Sequence, residues 1–183
     1  ELASEGITRI AKVPLGVDLE RFHPHRRAHA AETRQRFGLP EGRLAGFVGR
    51  FAREKELHVL LDAWPTIEAA TGARLALVGA GPMQAALAAH PYASRVSFVP
   101  FQNQRETLAD LLAAFDVYLA PGRIETFGLS ALEALASGTP VLSADLGGVS
   151  DLVAHSGAGR TFAAGEADAL ADHVGTHQAS HSG

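Results

Sequence analysis

The chain has 183 residues, 46% of them hydrophobic, with 16 Lys and Arg against 20 Asp and Glu, a net charge of -4 and no cysteine. That length gives room for one domain with a proper core. It leaves no place for disulfides, thiolate chemistry or Cys-ligated zinc; no apolar run approaches the ~20 residues of a membrane span, and no basic footprint for nucleic acid is present.

The absence of cysteine fits a cytoplasmic origin. The chain opens on Glu1 and its single methionine is Met83, so the expectation is a piece of a longer protein, with no signal peptide. Ile10 to Val13 could form a strand ended by Pro14. Val13-Pro14-Leu15-Gly16-Val17-Asp18 and Phe22-His23-Pro24 read as a Pro/Gly-punctuated linker. His23, His25 and His29, with Arg26 and Arg27, fit a solvated surface better than a metal site. Ala31 to Phe37 is a polar helix stopped by Gly38 and Pro40.

Leu44 to Gly49 is an apolar run and the first strand of the main fold. Arg50 and Lys55 follow it directly. Cations past the carboxyl end of a parallel strand sit where open α/β sheets bind ligands, although helix-start charges would give the same pattern. Leu57, Leu60, Leu61, Trp64 and Ile67 form a helical stripe, and Pro65 predicts a kink or break near Trp64.

Leu75 to Gly79 is a second strand. It runs into Gly79-Ala80-Gly81-Pro82 and a helix through Ala89. The third glycine of a dinucleotide fingerprint is replaced by Gln84, and no acidic residue stands about 20 positions on, which disfavours NAD. A Gly-rich turn that lets a ligand approach the backbone remains. Val96 to Val99 is a third strand, followed by the loop Pro100-Phe101-Gln102-Asn103-Gln104. Leu108, Leu111, Leu112 and Phe115 mark a helix.

The stretch that organises the chain comes next. Val117 to Ala120 is a buried strand, and from Phe127 the pattern turns helical, with Leu129, Leu132 and Ala136 on one stripe until Gly138 and Pro140 stop it. A strand running through a Gly-containing turn into a helix N-terminus favours an anion. Glu125 precedes that helix and Glu133 falls on its apolar stripe, where a charge is costly without a partner. Glu133 could bind a neighbouring backbone N–H and only hold the fold, or it could bind a ligand hydroxyl. Eight residues of helix separate the two acids by roughly 12 Å, whereas glycosidase carboxylates lie about 5–9.5 Å apart. The pair is better placed to hold two ends of a long ligand, such as a nucleotide sugar.

Val141 to Ala144 is another strand, and Asp145 to Asp151 opens a short helix. Gly157 and Gly159 mark a turn, Thr161-Phe162 a short strand, and Glu166 to Val174 a last helix. The polar end reads as a frayed tail; His173, His177 and His181 share a helical spacing there, and a metal role for them is disfavoured. Strands alternating with helices from Leu44 to Val174 predict an α/β fold, a Rossmann-like parallel sheet with helices on both faces.

The run Glu125-x7-Glu133, with Phe127-Gly128-Leu129 inside and Gly138-Thr139-Pro140-Val141 after it, resembles the donor-site signature of retaining GT-B glycosyltransferases of family GT4. The resemblance implies half of a GT-B fold: 1–24 as the inter-domain hinge and end of a missing amino-terminal acceptor domain, 25–175 as the nucleotide-sugar donor domain, 176–183 as the tail. It implies that Arg50 and Lys55, after Gly49, grip the donor diphosphate, and that the Gly79–Gly81 turn lies against the ligand. Glu125, with Thr126 beside it, would bind sugar hydroxyls, the amides of Phe127, Gly128 and Leu129 would bind the diphosphate, and Glu133 the ribose. The Phe101 neighbourhood is where the family holds the base, though Phe101 fits core packing equally well.

Transfer in the family needs no metal, and no Asp-x-Asp pair occurs here, so no cofactor is expected. The wording around Pro121 is similar to that of bacterial mannosyltransferases using GDP-mannose, with UDP-sugars nearly as well supported. The full-length enzyme would be cytoplasmic, with a membrane-peripheral location left open. This sequence departs from the family in Leu15, where Asn is usual, in Glu56, where Gly is usual, and in Asp151, where Glu is usual. A nucleotide-sensing module and a sugar-nucleotide epimerase are the rival readings.

Overall fold

The structure, a computed structural model, describes residues 16–124, 128–165 and 170. Six parallel strands form one sheet in the order β3-β2-β1-β4-β5-β6. They are β1 (Leu44–Arg50), β2 (Arg74–Ala80), β3 (Val96–Val99), β4 (Val117–Ala120), β5 (Val141–Ala144) and β6 (Gly159–Phe162). The helices are α1 (Ala30–Arg36), α2 (Leu57–Thr71), α3 (Gln84–Ala88), α4 (Arg105–Ala114), α5 (Leu129–Ala136) and α6 (Gly148–Ser156). Every strand expected between Leu44 and Phe162 is present within two residues of its expected ends. The expected strand at Ile10 to Val13 and the helix from Glu166 to Val174 lie outside the described residues, Leu170 excepted.

Strand alternation divides the core. Ala45, Phe47, Leu75, Leu77, Leu119 and Leu142 face α2 and α3. Leu44, Val48, Ala76, Val78, Tyr118 and Val141 face α4, α5 and α6. Both faces of the sheet are therefore covered, as an all-parallel sheet requires. Phe22, fully buried, belongs to the second layer with Leu39 and Phe115. The segment read as a linker is thus docked: Arg21 and Arg26 both pair with Glu106, and Arg26 also reaches Asp110 at 2.6 Å.

Two details differ from the sequence expectation. Of the kink or break expected near Trp64, the break does not occur: α2 runs on through Pro65. Pro65 is exposed while Leu60, Leu61, Trp64 and Ile67 are buried, and Trp64 Nε1 donates to the Ala73 carbonyl at 3.0 Å. Packing on both sides of the proline outweighs the lost hydrogen bond. On α5 the buried positions are Ala131, Glu133 and Ala134 rather than Leu129, Leu132 and Ala136. Small side chains bring this helix close to the sheet, and Leu129 is left partly exposed at its amino end.

Candidate functional site: a crevice at the strand-order switch

The chain runs outward from β1 to β3, then returns to β4 beside β1 and runs outward to β6. Open α/β sheets bind ligands outside the carboxyl ends of the strands at such a reversal. Here β1 and β4 pair over only two positions, Ala45 with Val117 and Gly46 with Tyr118, whereas β1 pairs with β2 along all seven of its residues. The Tyr118 hydroxyl donates to the Val48 carbonyl at 3.1 Å, holding β1 and β4 together where the ladder stops. Beyond that point the strands diverge.

A cavity of about 250 Å³ fills the gap. Gly49, Arg50 and Lys55 line it from the β1 side, Tyr118, Ala120 and Gly122 from the β4 side, and Gly128, Leu129 and Ser130 from the start of α5. Gly128 precedes the helix in the left-handed region, φ 58 and ψ 36. Its missing side chain matters: a Cβ there would run into Val149. The first-turn amides of α5 have no intrahelical acceptor, and the positive end of the helix dipole meets two cationic side chains across the cavity. This wall is built for an anion.

Other expected site residues fall elsewhere. Gly79 and Gly81 do not line the cavity. The space of a Cβ at Gly79 is taken by the Gly49 carbonyl, and at Gly81 by the Phe51 backbone. These glycines let the protein's own β1–α2 loop lie down on the β2 turn. Phe101 is 68% exposed on the loop before α4, so it is not a core residue. Glu125, Thr126 and Phe127 lie outside the described residues.

Glu133 is 1% exposed and also does not line the cavity. Its Oε1 accepts from Arg105 Nη2 at 2.6 Å. Burial pushes its carboxyl above the ordinary range, and the Arg105 hydrogen bond and charge offset only part of that rise. The partner demanded by a buried charge is thus a side chain on α4, which the sequence reading did not identify. Arg105 in turn lies over the Phe22 ring, 4.9 Å from its centroid. A helix-start arginine is common, and nothing in its spacing from Glu133 marks the pair. Among the described residues no group of three metal-ligating side chains gathers, and no helix is long and apolar enough to cross a membrane.

The comparisons with known proteins agree with this geometry. Residues 42–177 match the family model described as glycosyl transferases group 1. The GDP-mannose-dependent alpha-(1-6)-phosphatidylinositol dimannoside mannosyltransferase of Mycobacterium tuberculosis is 41% identical over 155 residues, covering 84% of this chain and 40% of that protein. Sucrose-phosphate synthase from Thermosynechococcus elongatus superposes with a TM-score of 0.75 at 29% identity, covering 94% of this chain and 45% of that one. HepE of Anabaena, solved in complex with UDP-glucose, superposes at 0.73 with 25% identity over 88% of this chain and 45% of its own. The chain therefore spans less than half the length of these relatives. With a matched region running through both the cavity and the Glu125-x7-Glu133 stretch, the chain belongs to the group 1 family of glycosyl transferases.

Proposed function

We propose that this chain is the donor-binding domain of a glycosyltransferase and that it holds a nucleotide-diphosphate sugar for retaining, metal-independent transfer of a hexosyl group. The acceptor would be held by an amino-terminal domain outside this sequence. The observation that carries the reading is the meeting of Arg50, Lys55 and the amino end of α5 on one cavity at the β1/β4 reversal. The diphosphate lies there. As the bond between the anomeric carbon and the diphosphate breaks, negative charge grows on the leaving phosphate, and preorganised cations and amides stabilise it; such groups commonly contribute several kcal/mol to barrier lowering.

Glu125, between β4 and α5 in the sequence, binds sugar hydroxyls. Glu133 is assigned to the ribose by the family resemblance alone: its carboxylate is buried against Arg105 and off the cavity wall, so ribose binding requires that the Arg105 contact opens, on the side of the α4 start and the exposed Phe101. GDP-mannose is the donor favoured by the mannosyltransferase relative, and the UDP-glucose complex of HepE supports a UDP-sugar as the other choice. This domain alone binds the donor weakly and transfers nothing.

A thermal-shift panel of nucleotide sugars tests the reading, since a ligand that binds only the folded state raises the melting temperature. One donor is expected to raise it more than its free nucleoside diphosphate does. Equal shifts from the two would favour a nucleotide-sensing module, and no shift at millimolar concentration would remove the donor reading.

A further inference from the structure

Glu56 is the one non-glycine among the described residues with a positive φ, 49, at ψ 36. A side chain in this left-handed region is unfavourable and persists only where its surroundings hold it. Its carboxylate is what is held. Oε1 pairs with Arg123 Nε at 3.2 Å, while Oε2 is buried without a hydrogen-bond partner. The Glu56 side chain is 19% exposed.

The pair joins two loops of the cavity. Glu56 follows Lys55 directly, and Arg123 stands two residues before Glu125. Between them the backbones already touch: a Cβ on Gly122 would fall 2.5 Å from the Glu54 carbonyl oxygen. The far end of Arg123 lies in the space that a Cβ on Gly165, just past β6, would occupy. Arg123 thus braces three loop segments at the carboxyl ends of β1, β4 and β6.

We infer that Glu56 and Arg123 are a positioning pair that fixes the spacing between the β1–α2 loop, which carries the cations assigned to the diphosphate, and the β4–α5 loop, which the donor-site reading assigns to the sugar. This rests on the donor-site reading above. Neither side chain lines the cavity, whereas their chain neighbours Lys55 and Gly122 do, so their effect on binding passes through those two positions. A glycine at position 56 would adopt the same backbone without strain; the glutamate keeps a strained backbone and supplies an anchor for Arg123.

The test measures melting temperature and dissociation constants of the 183-residue chain for a nucleotide sugar and for its nucleoside diphosphate. The variants are Glu56→Gly, Arg123→Ala, Arg123→Lys and the double variant Glu56→Gly/Arg123→Ala. Glu56→Gly is expected to melt no lower than the parent while binding the nucleotide sugar about fivefold more weakly, the scale of one partly exposed ion pair. Binding of the nucleoside diphosphate changes less, because only the relation between the two ends is lost. The double variant is no worse than either single one, and Arg123→Lys recovers part of the loss. Unchanged nucleotide-sugar binding by Glu56→Gly, binding losses that track melting temperature, or additive losses in the double variant would each overturn the pair. A parent chain that binds no nucleotide sugar at all removes the donor reading itself, a result distinct from parent and Glu56→Gly binding alike.

Discussion

Arg105 and Glu133 stand on different helices and meet at 2.6 Å, the arginine 47% exposed and the glutamate side chain 2% exposed. The asymmetry decides what each substitution does. Removing the arginine leaves a buried carboxylate whose desolvation is no longer offset. Removing the charge of the glutamate leaves an arginine that water can still reach. Arg105→Ala should therefore cost about 2 kcal/mol in urea unfolding at neutral pH, and Glu133→Gln clearly less. In the Glu133→Gln background the arginine change should lose most of its effect, because partners in one pair are not additive. Equal costs in both backgrounds would show that Arg105 acts through Phe22 and not through Glu133.

Arg50 and Lys55 give the direct test of the cavity. Each alanine variant should weaken binding of a nucleoside diphosphate by roughly 10- to 100-fold, since a hydrogen bond to a charged group is worth about 1.5–3 kcal/mol. Binding of the same nucleoside without phosphates should not change. Isothermal titration at two salt concentrations checks this: the parent should lose affinity with salt more steeply than either variant. Loss of nucleoside binding in parallel would place the cations elsewhere than at the phosphates.

Much of the fold was legible in the sequence because its strands are short apolar runs, two ended by Gly49 and Gly79 and two by Pro100 and Pro121, and the switch between strand and helix periods is sharp. Arg50 and Lys55 were legible for the same reason: they follow a clear strand, and topology carries strand ends to one edge. What was not legible depends on contacts across the fold. Gly79 and Gly81 look like a ligand turn in one dimension, but their open sides are filled by the backbone at Gly49 and Phe51. Part of the long signature is also packing. Gly138 turns at φ 76, and the Thr139 hydroxyl donates to the Leu112 carbonyl at 2.7 Å while accepting from Arg27 at 2.9 Å. Arg105 and Arg123 had no local signal, since each is defined by a partner far along the chain. Glu56 did carry one: a charged residue where the family has glycine.

Gly79→Ala would drive a methyl into the Gly49 carbonyl at a φ of 147, so it should destabilise the chain by about 1–3 kcal/mol, the usual range for overpacking. Gly16→Ala, with open space around it and no unusual φ, should be close to neutral. Because the Gly49 carbonyl sits beside Arg50, Gly79→Ala should also weaken diphosphate binding in the fraction that stays folded. Thermal melting of both variants and titration of the first provide the check; a neutral Gly79→Ala would mean that the two turns can separate without cost.

Glu68 on α2 makes one contribution to stability that acid removes. Its carboxylate accepts from Arg95 Nε at 2.8 Å and from Arg95 Nη2 and the Tyr92 hydroxyl, with Arg74 at 3.6 Å. The Arg95 hydrogen bonds, chiefly, hold its pKa down at about 2 against an ordinary value of 4.5. A carboxyl with a lowered folded pKa binds fewer protons folded than unfolded between those two values. Its contribution is therefore complete above pH 4.5 and is lost as pH falls toward about 2. Glu68→Gln should lower the melting temperature at neutral pH and flatten its decline across that window, so that parent and variant converge in acid. Arg95 is 54% exposed, and solvent screening keeps the amplitude modest. Parent and variant curves that stay parallel down to pH 2 would mean that Glu68 gains nothing from its arginine in the folded state.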